Sequence, residues 1–164
     1  MEFADEMTLG DARQQLRGLA YEGHRCPCCT QFTKVYRRKI HASMAHALIM
    51  MYRIDQTLPR DAKWIQIAEV LAHRQVADAA KLKHWGLIEE EQAIREDGSG
   101  RTGWWQLTDL GRRFVRGNAL VNKYVLIFDG RKLTDKPQEE MGGPVTIQEC
   151  LGKKFNYRDL MVGV

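Results

Sequence analysis

The chain has 164 residues, 44% hydrophobic and 28% charged, with four cysteines and a formal net charge of +4. That is enough chain for a packed core, the composition excludes wholesale disorder, and the net charge is too small to name a polyanionic partner. The longest apolar run, around Ala45–Met51, is far too short for a bilayer, and Met1–Met7 is acidic with no apolar stretch, so a cytoplasmic protein without membrane partners is expected.

In chain order, Thr8-Leu9-Gly10-Asp11 reads as a capping box, and Leu9, Ala12, Leu16 and Leu19 predict a helix to about Tyr21. A tight turn, His24-Arg25-Cys26-Pro27-Cys28-Cys29-Thr30, follows, then a short extended piece at Phe32–Tyr36. Ile40, Met44, Ala47, Leu48 and Met51 predict a long helix over Arg37–Tyr52. Three bases at its start oppose the helix dipole and hint at an anion nearby. Beyond Pro59, helices are expected at Trp64–Ala72 and Val76–Trp85, the second stopped by Gly86. Leu87–Ala93, a turn at Glu96–Gly100 and Trp104–Leu107 predict a β-hairpin, and Thr108 caps a helix from Leu110 to about Arg116. Val121–Phe128 is strand-forming, Lys136–Pro144 a loop, Val145–Ile147 a short strand, Gln148–Gly152 a short helix and Tyr157–Met161 a last helical turn.

Charge is unevenly spread. Residues 26–54 carry +5 and residues 98–132 carry +5, separated by an acidic block of −3 over residues 55–97. This pattern suggests a polarised surface.

Cys26 and Cys29 form a C-x-x-C pair with Cys28 between them, a spacing that can hold tetrahedral zinc. His41 and His46 lie downstream as in a two-Cys, two-His finger, but five residues apart they point about 140° from one another on a regular helix. The expected structural zinc set is Cys26, Cys28, Cys29 and His41, with His24 and Cys150 as further ligand types. A metal-free turn with buried thiols and a redox dithiol are the alternatives, and Cys150 is expected to pack in the core. No nucleophile–base arrangement, phosphate-cradling glycine loop or paired carboxylates are visible, so no enzyme is expected.

From Trp64 to Arg116 the order is helix, turn, helix, strand, Gly-rich hairpin, strand, helix, the order of a winged helix-turn-helix. Leu82-Lys83-His84-Trp85-Gly86-Leu87-Ile88-Glu89 resembles the end of the recognition helix and first wing strand of winged-helix regulators of the multiple-antibiotic-resistance repressor type. Trp105-Gln106-Leu107-Thr108-Asp109-Leu110-Gly111 resembles their return strand and next helix start. The resemblance implies double-stranded DNA as partner, with the second helix in a major groove about 12 Å wide, and dimerisation through elements outside the winged core. Arg74 and Gln75 in the turn before the helix, Lys81 and His84 on it, and Arg95 and Arg101 at the hairpin tip are the expected DNA contacts.

The run Cys26-Pro27-Cys28-Cys29 through Arg37-Arg38-Lys39, and the ending Leu151–Met161, resemble uncharacterised proteins of bacteriophages and actinobacterial mobile elements, with Thr30 where their Cys-Pro-x-Cys-Gly pattern has glycine. The expected fold is mainly α with a small β-hairpin wing. It has an N-terminal helix, zinc-knuckle-like segment and long helix over 1–54, a winged helix-turn-helix over 55–132 and an extension over 133–164. The expected function is a small DNA-binding phage or mobile-element regulator. Asp78 and Glu89-Glu90-Glu91, which repel phosphate, favour the alternative of an accessory protein that binds and inhibits a host protein.

Overall fold

Thr8 starts the first helix. Its hydroxyl accepts a hydrogen bond from the Asp11 amide at 3.2 Å and donates to the Asp11 carboxylate at 2.5 Å, so the capping box is only half made. The computed structural model describes residues 5–93, 95–98, 103–136 and 138–164. After α1 (Leu9–Gly18) a hairpin of β1 (His24–Arg25) and β2 (Phe32–Thr33) carries the cysteine turn. β3 (Tyr36–Lys39) leads into α2 (Ala42–Asp55). Next come β4 (Ile65–Gln66), α3 (Ile67–Val70) and α4 (His73–Lys81), which tightens into a 3-10 turn at Leu82–Trp85. β5 (Ile88–Glu90), β6 (Trp104–Leu107), α5 (Asp109–Val115), β7 (Val121–Asn122), β8 (Tyr124–Phe128) and β9 (Arg131–Lys132) follow. A 3-10 turn at Gln138–Met141, β10 (Pro144–Val145), α6 (Ile147–Leu151) and α7 (Tyr157–Leu160) complete the chain.

α2 is the centre of the molecule. Met44, Ala45, Ala47, Leu48, Ile49 and Met51 are all buried, which leaves no broad solvent face, as expected of a helix enclosed on every side. The main core extends from Ile40 to Leu151 and includes Leu82, Leu87, Leu107 and Phe114. A smaller core of Ala20, Val35, Leu126 and Met141 lies on the other face of β8.

The expected mainly α, winged helix-turn-helix fold does not hold. The chain is 39% helical and 18% strand, a mixed α/β composition, and no specific winged-helix fold is shown. Among the described residues the strands make four small antiparallel sheets, β1-β2, β10-β7, β3-β8-β9 and β4-β6-β5, instead of a single hairpin wing. The helix expected at Trp64–Ala72 shrinks to the four residues of α3, because Ile65 and Gln66 pair with Trp105 and Trp104 as a strand. The helix expected from Arg37 starts at Ala42, because Tyr36–Lys39 are drawn into long-range pairing with β8. Val121–Phe128, expected as one strand, is shared between two sheets.

Candidate nucleic-acid interface

β3 is an edge strand, and its Arg37-Arg38-Lys39 sequence protects that edge from pairing with another chain. The register sets Tyr36 opposite Ile127 and Arg38 opposite Val125 on one face, with Arg37 opposite Leu126 and Lys39 opposite Tyr124 on the other. Val125 belongs to the main core, so Arg38 lies on the face of the sheet turned toward it, the face that also carries Ile127. The Arg37 guanidinium lies 3.7 Å from the centroid of the Tyr124 ring, and its Nε donates to the Glu140 carbonyl at 3.1 Å.

Between β3 and the end of α4 opens a cleft of about 410 Å³. Arg37, Arg38, Lys39, His41, Lys81 and His84 line it around an apolar patch of Met44, Trp85 and Ile127, and among the described residues no Asp or Glu lines it. Asp78 flanks the cleft. Its Oδ1 is 3.3 Å from Lys81 Nζ and 3.9 Å from His41 Nε2. Burial, helped by the positive charges of Lys83 and Lys132, holds the His84 pKa below the ordinary imidazole value.

Of the expected DNA contacts, Lys81 and His84 meet in this cleft. Arg74 is exposed near the start of α4 and does not line it, and Arg95 is exposed in the segment after β5. The Gln75 amide nitrogen donates to His46 Nδ1 at 2.7 Å, which ties α4 to α2. Arg101 lies outside the described residues.

Of the expected zinc ligands, His41 is the N-cap residue of α2 and faces Asp78 and the cationic cleft. The thiols stay in the β1–β2 hairpin. There the Cys29 amide, then the Cys28 amide, donates to the Cys26 sulfur and lowers its pKa. Thr30 adopts the left-handed conformation, φ +61°, in the place where the resembling pattern has glycine. Among the described residues no group of three or more His, Cys, Asp or Glu side chains is placed to hold a metal ion.

Arg37, Arg38 and Lys39 were not among the expected contacts. Their signal was the conflict already visible in sequence, three cations where a helix start disfavours them. The strand assignment resolves that conflict.

Two histidines make stability depend on pH. Burial, then the Lys154 charge, lowers the His46 pKa, and His84 is lowered as above. The unfolded imidazole accepts a proton that the folded one resists. This contribution to stability is therefore complete above the ordinary value of 6.5 and is lost below it, as pH falls through the lowered folded-state value. Thermal melts should show a lower midpoint at pH 5 than at pH 7.5, with the decline reduced in a His46→Gln/His84→Gln variant. An unchanged decline in that variant would remove these two residues as its source.

Comparison with family models, with curated proteins and with solved structures finds no match. Among the described residues no helix is long and apolar enough to cross a membrane.

Proposed function

We propose that this protein binds double-stranded DNA by seating backbone phosphates in the cleft between β3 and α4. One observation carries the reading: Arg38 of β3 and Lys81 of α4, cations from separate segments, meet at a cleft that, among the described residues, no carboxylate lines, with Arg37 and Lys39 beside it on the other face of β3. Arg and Lys at such a surface contact phosphate without regard to base, so affinity should be strongly salt-dependent and weakly sequence-dependent.

A mobility-shift titration with a duplex of arbitrary sequence tests this. Wild type should shift the duplex at about 50 mM salt, and log K should fall against log salt with a slope of about −2 or steeper, since Arg38 and Lys81 alone neutralise two phosphates. Arg38→Glu/Lys81→Glu should lose the shift at the same protein concentration. A wild-type protein that leaves the duplex unshifted at low salt overturns the reading. The apolar patch of Met44, Trp85 and Ile127 favours a second reading, an acidic protein segment with an apolar anchor side chain. That reading predicts no binding to the duplex.

A further inference from the structure

A second cleft, of about 510 Å³, opens beside the first, and Lys39 and His41 line both. Lys123, Lys153 and Lys154 add their charges to Lys39 there. Lys123 is held next to β3, since its carbonyl accepts from the Ile40 amide at 3.0 Å.

The other two lysines sit on a pinned turn. α6 is anchored by buried Ile147 and Leu151 and starts with a complete capping box at Thr146 and Glu149. Gly152, at φ +58° and ψ −136°, reverses the chain directly after α6, a conformation that only glycine adopts readily. Beyond the lysines, Phe155 stacks on His46 with ring centroids 4.4 Å apart, and the Tyr157 hydroxyl donates to the Val115 carbonyl at 2.6 Å. Lys153 and Lys154 are thus exposed side chains on a backbone fixed from both directions, so little chain entropy is lost when they take a ligand.

Among the described residues one carboxylate, Glu149, lines this cleft, and it accepts the Thr146 amide hydrogen bond at 3.0 Å. The Cys150 thiol is pushed up to about 12 by burial, then by Glu149, so it adds no second negative charge.

We propose that the second cleft is a phosphate site, and that DNA held in the first cleft continues across Lys39 to the turn between α6 and α7. This inference rests on the DNA-binding reading above. It extends the contact surface from α4 and β3 to the C-terminal segment.

The test is the salt dependence of binding to a duplex of about 30 base pairs. Lys153→Glu/Lys154→Glu should flatten the slope by about 2, close to 0.9 per lost contact, and weaken binding at about 50 mM salt by tenfold or more. Lys153→Gln/Lys154→Gln should flatten it by the same amount and keeps the test decisive if charge reversal unfolds the chain. Arg13→Glu/Arg17→Glu, on exposed positions of α1, makes the same change in net charge and should leave the slope unaltered. An equal effect from the α1 pair reduces the result to net charge and overturns the proposal. A full slope in the lysine variants, with binding lost in Arg38→Glu/Lys81→Glu, overturns the second cleft and leaves the first. No duplex binding by wild type overturns both.

Discussion

Gly111→Ala should lower stability by about 3 kcal/mol, roughly 10 °C in melting midpoint for a chain of this size. The reason is a backbone approach with no slack. A Cβ at Gly111 would lie 2.0 Å from the Leu87 carbonyl oxygen and 3.0 Å from its carbon, and neither is the movable end of a side chain. The same Leu87 oxygen accepts from the Thr108 amide at 3.1 Å. The Thr108 hydroxyl donates to the Gly86 carbonyl at 2.6 Å and accepts from the Gly111 amide at 3.0 Å. The start of α5 is thus clamped to the turn before β5, and a methyl group must pry the two apart. Alanine's intrinsic helix preference, about 1 kcal/mol over glycine, is too small to offset lost caps and displaced core. Gly10→Ala is the matched control. It is also a helical glycine, its Cβ would meet only the Thr8 hydroxyl at 3.7 Å, and its midpoint should hold or rise slightly. A Gly111→Ala midpoint within a degree of wild type would contradict the clamp.

That clamp also shows which structure is legible in local sequence. The string Leu107-Thr108-Asp109-Leu110-Gly111 signals a strand end, a cap and a helix, and β6, the Thr108 cap and α5 lie where it puts them. Caps and turns are short-range devices, so a single segment reveals them. Trp104 and Trp105 divide into one exposed and one buried residue by the alternation of a strand. The overall fold was misread where distant pairing decides. Arg37, Arg38 and Lys39 have helix preferences as good as most residues, and nothing near them announces a partner some 85 residues later in β8. The cleft was hidden for the same reason. Lys81 lies in the acidic block of the chain, yet the fold sets it opposite the basic block, so charge summed along sequence concealed the charge summed in space. Reading His41 and His46 as a helical pair failed one step earlier. With the helix starting at Ala42, His41 is an extended residue directed at Asp78.

Asp55→Ala is expected to cost about 3 kcal/mol or more, because it removes one half of a buried ion pair. Asp55 ends α2, where the helix dipole disfavours a negative charge, so its stability there must come from elsewhere. It comes from α5. Arg112 Nη2 donates to Asp55 Oδ1 at 2.9 Å and Arg112 Nε to Oδ2 at 3.1 Å, a two-pronged contact, while Gln56 Nε2 donates to Oδ2 at 3.1 Å. Lys63 Nζ stands 3.9 Å from the same carboxylate and donates to the Asp55 and Leu58 carbonyls at 2.5 and 2.9 Å, closing the segment after α2 onto its end. The two partners are unequally buried, Asp55 with 1% of its side chain exposed and Arg112 with 22%. In Asp55→Ala the guanidinium can therefore turn toward solvent and Asp109, 3.3 Å away, whereas in Arg112→Ala the carboxylate has no such exit. Arg112→Ala should be the costlier single change. Replacing both by apolar residues of similar size, Asp55→Leu/Arg112→Met, should recover most of either loss, since the desolvation of the pair nearly cancels its attraction. Urea melts of wild type, Asp55→Ala, Arg112→Ala and Asp55→Ala/Arg112→Ala give the coupling. A value below about 0.5 kcal/mol would mean that the two side chains act independently and that the α2–α5 junction is held by its apolar contacts alone. Neither residue lines either cleft, so the folded fraction of each variant should bind DNA with the wild-type salt slope, which separates what holds this fold together from what it presents to a ligand.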